Sequence, residues 1–192
     1  MGAKAGLTER QEKWFASVRE GIERETGKSF DDWVAIARTC PETKHRARLT
    51  WFKETHGLGQ NRASVIFAAA FEATPTGEKA DELFEGLWKD AGQRAIYERI
   101  EKAVSALDGV TKGQRKAFTA FSRKVQFASA RPVKDGGVRL GLAVSPDADP
   151  RLEPAKKNEG WSERLKATAV LTKPGDVDAG LKKLLKDAWS AS

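Results

Sequence analysis

The sequence has one cysteine, Cys40, and two histidines, His45 and His56, among 192 residues. A lone thiol forms no internal disulfide framework, and so few Cys and His residues do not make a zinc site. The expected compartment is a reducing cytosol. No apolar run approaches the roughly 20 residues of a membrane span. No positively charged start runs into an apolar stretch, so no secretory leader is expected. A Gly-rich phosphate loop, a Gly-x-Ser-x-Gly elbow and a dinucleotide fingerprint are also missing. There is no Glu-x-Lys preceded by a strand Asp, so a nuclease of that type is not supported. No catalytic constellation emerges, and no cofactor or metal is expected.

What the chain does have is apolar content and charge. It is 40% hydrophobic and 32% charged, enough to bury a core. Its 34 Lys and Arg against 27 Asp and Glu leave a formal charge of +7. Eight cations fall within residues 112–139: Lys112, Arg115, Lys116, Arg123, Lys124, Arg131, Lys134 and Arg139. Asp135 is the single acid there. Such a stretch attracts nucleic acid, phosphate or acidic proteins, or it is a solvated strand face.

The N-terminal third reads as four short helices. Thr8 with Gln11 begins the first, whose inward residues are Trp14, Phe15, Val18 and Ile22, and Gly27 ends it. Ser29 with Asp32 begins the second, with Phe30, Trp33, Ile36 and Ala37 inward and Pro41 as its stop. A third covers about 43–55 and closes at Gly57. Asn61 caps a fourth that carries Ile66, Phe67 and Phe71. The stretch from Ala73 to Gly77 is the boundary.

Two further helices follow at about 79–90 and 94–107, separated by Gly92. The period then falls from 3.6 to 2. Strands are expected at 116–122, 125–131, 138–144 and 164–171, with a hairpin connection at Lys134–Gly137. Val177, Leu181, Leu184, Leu185, Ala188 and Trp189 form the inner stripe of a last helix. The fold class is α+β: a small all-helical domain over 1–74, then a helix–antiparallel sheet–helix domain over 75–192 with about four strands.

Three places offer chemistry. His56-Gly57-Leu58-Gly59-Gln60-Asn61-Arg62-Ala63 resembles a helix-hairpin-helix element, although His56 stands where that family often has proline. The resemblance implies that the turn amides and the next helix N-terminus hold a DNA phosphate, with Arg48, Lys53 and Arg62 adding charge. The alternative is a glycine C-cap followed by an N-cap. Second, one sheet face carries small residues with Arg139, Arg164 and Lys166. Left open, that face could seat an anion, gripped by Arg123, Lys124, Arg139 and Lys166 with Trp161 above and Phe127 as a further pocket residue. Alternatively it is wet, and Trp161 caps the sheet edge. Third, Asp147, Asp149, Glu153 and Glu159 lie in or near one loop, as solvated acids or as a general acid–base or metal pair.

Two sets of motifs carry a wider resemblance. Thr26-Gly27-Lys28-Ser29, Asp31-Asp32-Trp33, Lys44-His45 and His56-Gly57-Leu58-Gly59 resemble a short bacterial helical domain of unknown function. Ile96-Tyr97-Glu98, Phe121 to Ala128, Arg139 to Leu142 and Gly160-Trp161 resemble a second such domain. That second domain is also found at the C-terminus of so-called predicted transport proteins. The resemblance implies the two-part architecture and names no catalytic residue.

The expected function is a cytosolic binding module for an anionic partner, with nucleic acid favoured and contacts limited to phosphates. Its candidate residues are Gly57, Gly59, Arg62, Arg123, Lys124, Arg139, Arg164 and Lys166. The alternatives are a small anionic-ligand binder or enzyme using the open sheet face, and a protein-interaction or dimerisation module.

Overall fold

The computed structural model describes residues 4–5, 8–72, 79–157 and 159–192. The boundary stretch from Ala73 to Gly77 lies outside the described residues. The chain divides into a helical unit, residues 10–82, and an α+β unit of residues 83–192 joined by the first nine.

The helical unit contains α1 (Glu9–Thr26), α2 (Phe30–Arg38), α3 (His45–His56) and α4 (Gln60–Ala70). Ser29 Oγ accepts from Asp32 N–H at 3.1 Å, and Asp32 returns the bond to Ser29 N–H at 3.3 Å, a complete capping box. Trp33 Nε1 donates to Thr26 Oγ1 at 2.9 Å and ties α2 to the end of α1. Trp33, Phe52, Ile66 and Phe67 lie in the apolar core. Two sequence expectations fail. Trp14 is 52% exposed, because the inward stripe runs through Phe15, Val18 and Ile22, about 100° away round the helix. Asn61 lies inside the first turn of α4, whose N-cap is Gly59.

The α+β unit begins with α5 (Ala80–Leu87) and α6 (Ala91–Ser105). Asp90, not Gly92, divides them: its carboxylate accepts from Gln93 N–H at 2.8 Å and caps α6. The strands are β1 (Lys4–Ala5), β2 (Thr111–Gln114), β3 (Thr119–Ser122), β4 (Gln126–Pro132), β5 (Val138–Leu142), β6 (Glu153–Pro154) and β7 (Ala167–Leu171), and α7 (Ala179–Ser190) closes the chain. They form one sheet in the order β1-β2-β3-β4-β5-β7-β6, antiparallel except at β1–β2. The four expected strands correspond to β3, β4, β5 and β7, neighbours at its middle, and three short strands extend it beyond about four. The expected strand at 116–122 is shorter because residues 115–118 form the β2–β3 turn, closed by Arg115 N–H to Phe118 O at 2.9 Å.

Register sorts the two faces. Ala128, Leu142 and Ala167 are partners in one row, and Ala130, Leu140 and Ala169 in the next. These rows share a core with Ile96, Ile100 and Val104 of α6 and Leu181, Leu184 and Leu185 of α7. A register shift after Phe121 leaves Phe127 without a partner on β3, and Phe127 joins the same core. Buried Gln93 reaches from α6 to the carbonyls of Val133 and Gly137 at 2.6 and 2.9 Å, fastening the β4–β5 hairpin. Among the described residues no helix is long and apolar enough to cross a membrane.

Arg151 fixes the loop after β5 to the start of α7. It grips Asp149 at 2.9 and 3.0 Å and reaches Asp178, the N-cap of α7, at 2.9 Å. The hydrogen bonds from Arg151 are the first cause that lowers the Asp149 pKa, from 3.8 to about 2. Asp178 is also lowered, first by the Leu181 amide it caps and then by Arg151. A depressed carboxylate stabilises the fold above its ordinary pKa and stops doing so as pH falls through the depressed value. Thermal melts of the native chain and Arg151→Gln should therefore differ near neutral pH, with the native chain more stable. The gap should close as pH falls from 3.8 toward 2. A gap that is constant with pH would contradict the assignment.

Candidate functional site

The sheet face away from α6 and α7 carries a row of small residues. Ala120 pairs with Ser129, Ser129 with Gly141, and Gly141 with Thr168. Ser129 and Thr168 are 0% and 1% exposed, so this face is covered rather than open. The β6–β7 connection covers it. A Cβ on Gly141 would stand 2.9 Å from the Trp161 ring and 3.2 Å from Leu165. Glycine at 141 is what lets the indole rest on the backbone of an interior strand. Trp161 therefore sits on the sheet face, not at its edge. Phe118 meets it edge-on at 6.4 Å, and the Arg131 guanidinium lies 5.0 Å from its ring centroid. Its Nε1 is buried and has no acceptor among the described residues.

The next row places Arg131 directly opposite Arg139. Like charges face to face repel, and here a carboxylate joins them. Glu159 ion-pairs with Arg131 Nη2 and stands 3.5 Å from Arg139 Nη1. Arg131 Nη1 also donates to the Glu159 carbonyl at 3.0 Å. The Glu159 side chain is 4% exposed, with Arg131 and Arg139 at 30% and 19%. Glu159 is thus a buried, doubly paired acid, unlike the solvated loop acid its sequence context suggests.

Beside this triad is a cavity of about 490 Å³. Lys156, Lys157, Lys166, Glu159, Trp161 and Leu165 are among its lining. The three lysines are exposed and form no ion pair with the described residues. Lys156, Lys157 and Arg131 were not among the sequence candidates. The adjacent Lys156-Lys157 pair in this loop was the available signal.

The other candidates scatter. Lys112 turns to Glu101 of α6 at 2.6 Å, and Arg123 lies 4.6 Å from the Trp189 ring centroid on α7. Arg115 folds back to the Gln114 carbonyl at 3.2 Å. Lys116, Lys124 and Lys134 are exposed. The cations of 112–139 therefore do not all meet at one place. Arg164 is exposed and lies 3.5 Å from the Ala191 carbonyl, whereas Lys166 lines the cavity. Phe127 belongs to the helix-side core and not to the cavity. Asp149 is held by Arg151 and Asp147 lies 3.4 Å from Ser145 Oγ, so these acids do not converge with Glu159. Among the described residues no group of three metal-binding side chains gathers.

In the helical unit, Gly57 takes a left-handed φ of 70° and closes α3, and Leu58 is buried. Gly59 offers α4 no side-chain cap, and the first bond at that end is Ala63 N–H to Gly59 O at 3.0 Å. The amides of Gln60, Asn61 and Arg62 have no intrahelical acceptor. Arg62 is engaged by Glu25 at 2.6 Å. His56 packs among Trp33, Trp51 and Phe52, with centroids at 5.7, 5.1 and 5.3 Å.

Residues 14–72 match the family model described as a domain of unknown function, DUF4287, and residues 80–192 match that of a second, DUF5655. No curated protein and no solved structure matches the chain.

The seating of Trp161 can be tested at Gly141. Gly141→Ala should lose about 1–3 kcal/mol of stability in urea titrations, because the methyl overlaps the ring. It should also red-shift tryptophan emission, and the shift should vanish in a Trp161→Phe background. A stable variant with unchanged emission would refute the packing.

Proposed function

Since the chain belongs to the family of its second domain, DUF5655, whose description assigns no activity, we propose a function from the chain's own geometry: a binding module for a small anionic ligand at the cavity beside Trp161. The observation that carries this reading is the set of three lysines, ion-paired with no described residue, around a half-buried indole. Five cations gather here: Lys156, Lys157 and Lys166 on the cavity lining, and Arg131 and Arg139 through Glu159. The acids beside them are Glu159 and Glu163. A cavity walled on one side by low-dielectric groups concentrates such a field and favours an anion. The indole supplies an apolar wall, and the lysines supply charge without a fixed fork, which suits a compact, multiply charged head group. No catalytic role is assigned. The reading sets the protein in the bacterial cytosol, in keeping with its single cysteine.

A second reading keeps the nucleic-acid partner. The uncapped amides at the start of α4 favour it, since a helix N-terminus accepts a backbone phosphate. With Arg62 tied to Glu25, that turn adds little free charge, and the cavity is the better-supported site. A protein-interaction surface has less behind it: among the described residues the exposed large apolar side chains are Trp14 and Val170.

Thermal shift with inorganic phosphate, citrate and a short duplex DNA separates these readings. A ligand at tenfold its Kd should raise the midpoint by roughly 3–6 °C. Lys156→Gln/Lys157→Gln/Lys166→Gln should abolish the shift. DNA binding that weakens steeply with salt and ignores the three substitutions would transfer the function to the Gly57–Gly59 turn. No shift with any of the three would overturn the anion reading.

A further inference from the structure

We propose that Arg131 and Arg139 form the head-group subsite of this cavity, and that the chain's own Glu159 carboxylate stands where a ligand's carboxylate or phosphate binds. The inference rests on the anion-binding reading above and says which side chains do the gripping. Three independent features support it.

The first is the strand pair itself. Arg131 and Arg139 are register partners on β4 and β5, so the sheet holds two guanidinium groups face to face. An anion between them relieves their mutual repulsion. A buried ion triad is a poor device for stability alone, because desolvating three charges offsets much of their attraction and an apolar set of the same shape serves as well. Two arginines aimed at one carboxylate are, by contrast, a good device for recognising oxyanions, since each planar fork matches an O–C–O or O–P–O edge.

The second feature is Trp161. Its ring is held against Arg131, and its buried Nε1–H has no acceptor among the described residues. A buried donor without a partner is unfavourable, and the Glu159 carboxylate does not satisfy it. A larger head group with three or more oxygens brings further acceptors to this neighbourhood.

The third feature is access. Glu159 and Trp161 both line the cavity that Lys156, Lys157 and Lys166 share. A ligand exchanging with Glu159 therefore enters through a cationic mouth. The class that fits is a small molecule with a carboxylate or phosphate head and a second negative group within reach of the lysines. Because Glu159 is tethered to the same unit, it competes with the ligand at all times. Apparent affinity is reduced by the fraction of time the arginine pair is free.

The test uses the full chain and two probes, inorganic phosphate and succinate, by isothermal titration. Glu159→Gln keeps the shape and removes the competing charge. If the native pair is free about a tenth of the time, this variant should bind the better probe about tenfold more tightly. Which probe gains more identifies the head group as phosphate or carboxylate. Adding Arg139→Gln should erase the gain. The proposal is overturned if Glu159→Gln, folded by near-UV circular dichroism, binds both probes no more tightly than the native chain. It is equally overturned if the gain survives loss of Arg139. Should Glu159→Gln not fold, the native chain decides. On titration with phosphate and succinate, the Nε–H signals of Arg131 and Arg139 should move with at least one probe, and still signals beside bound probe refute the subsite. Binding lost with the three lysines but indifferent to Arg139 leaves the anion site standing and removes this subsite alone. No binding by any form removes both.

Discussion

The pairing of Glu159 with Arg131 and Arg139 anchors the chain that covers the second face of the sheet. Without it, two positive side chains face each other across adjacent strands, and the β6–β7 connection loses its charged anchor. With it, Trp161 rests on Gly141, an interior position where the backbone has no side chain, and Leu165 packs beside it. The burial of Ser129 and Thr168 beneath them is a consequence of that closure. The face is therefore a third layer of the unit, built from irregular chain instead of a helix, and the ion triad and the indole set its geometry.

This arrangement also redistributes the chain's positive charge. In sequence the excess is concentrated at 112–139. In space, strand alternation sends Lys112 to one face and Arg131 and Arg139 to the other. Arg123 settles on an indole of the last helix. The cations near the triad that pair with no carboxylate among the described residues come from another segment, Lys156, Lys157 and Lys166. A linear charge count cannot anticipate this, because a period of two splits every basic run between faces.

How much was legible follows from which signals are local. The Ser29–Asp32 capping box, the Gly27 and Gly57 helix ends, the Lys134–Gly137 hairpin and the alternation over Val138–Leu142 are written in residues a few positions apart, and each is legible in the sequence. The misses are tertiary. Strand β2 is Thr-Lys-Gly-Gln and β6 is Glu-Pro, and neither alternates, so only pairing with β3 and β7 makes them strands. Asn61 is a good cap by residue type, yet the tight Gly57–Gly59 turn starts the helix before it. Burial of Glu159 depends on arginines 28 and 20 residues earlier, which no local pattern signals. Trp161 fitted no period, and that misfit was itself the one local sign of a residue held by the sheet face.

The most direct test of this account is a double-mutant cycle on Arg139→Gln and Glu159→Gln, read by urea denaturation. The two side chains belong to one triad, so the account predicts a coupling energy of about 1–3 kcal/mol, with the double variant much less destabilised than the sum of the singles. Effects that add within about 0.5 kcal/mol would mean the two charges do not act on one another, and the closure described here would be contradicted.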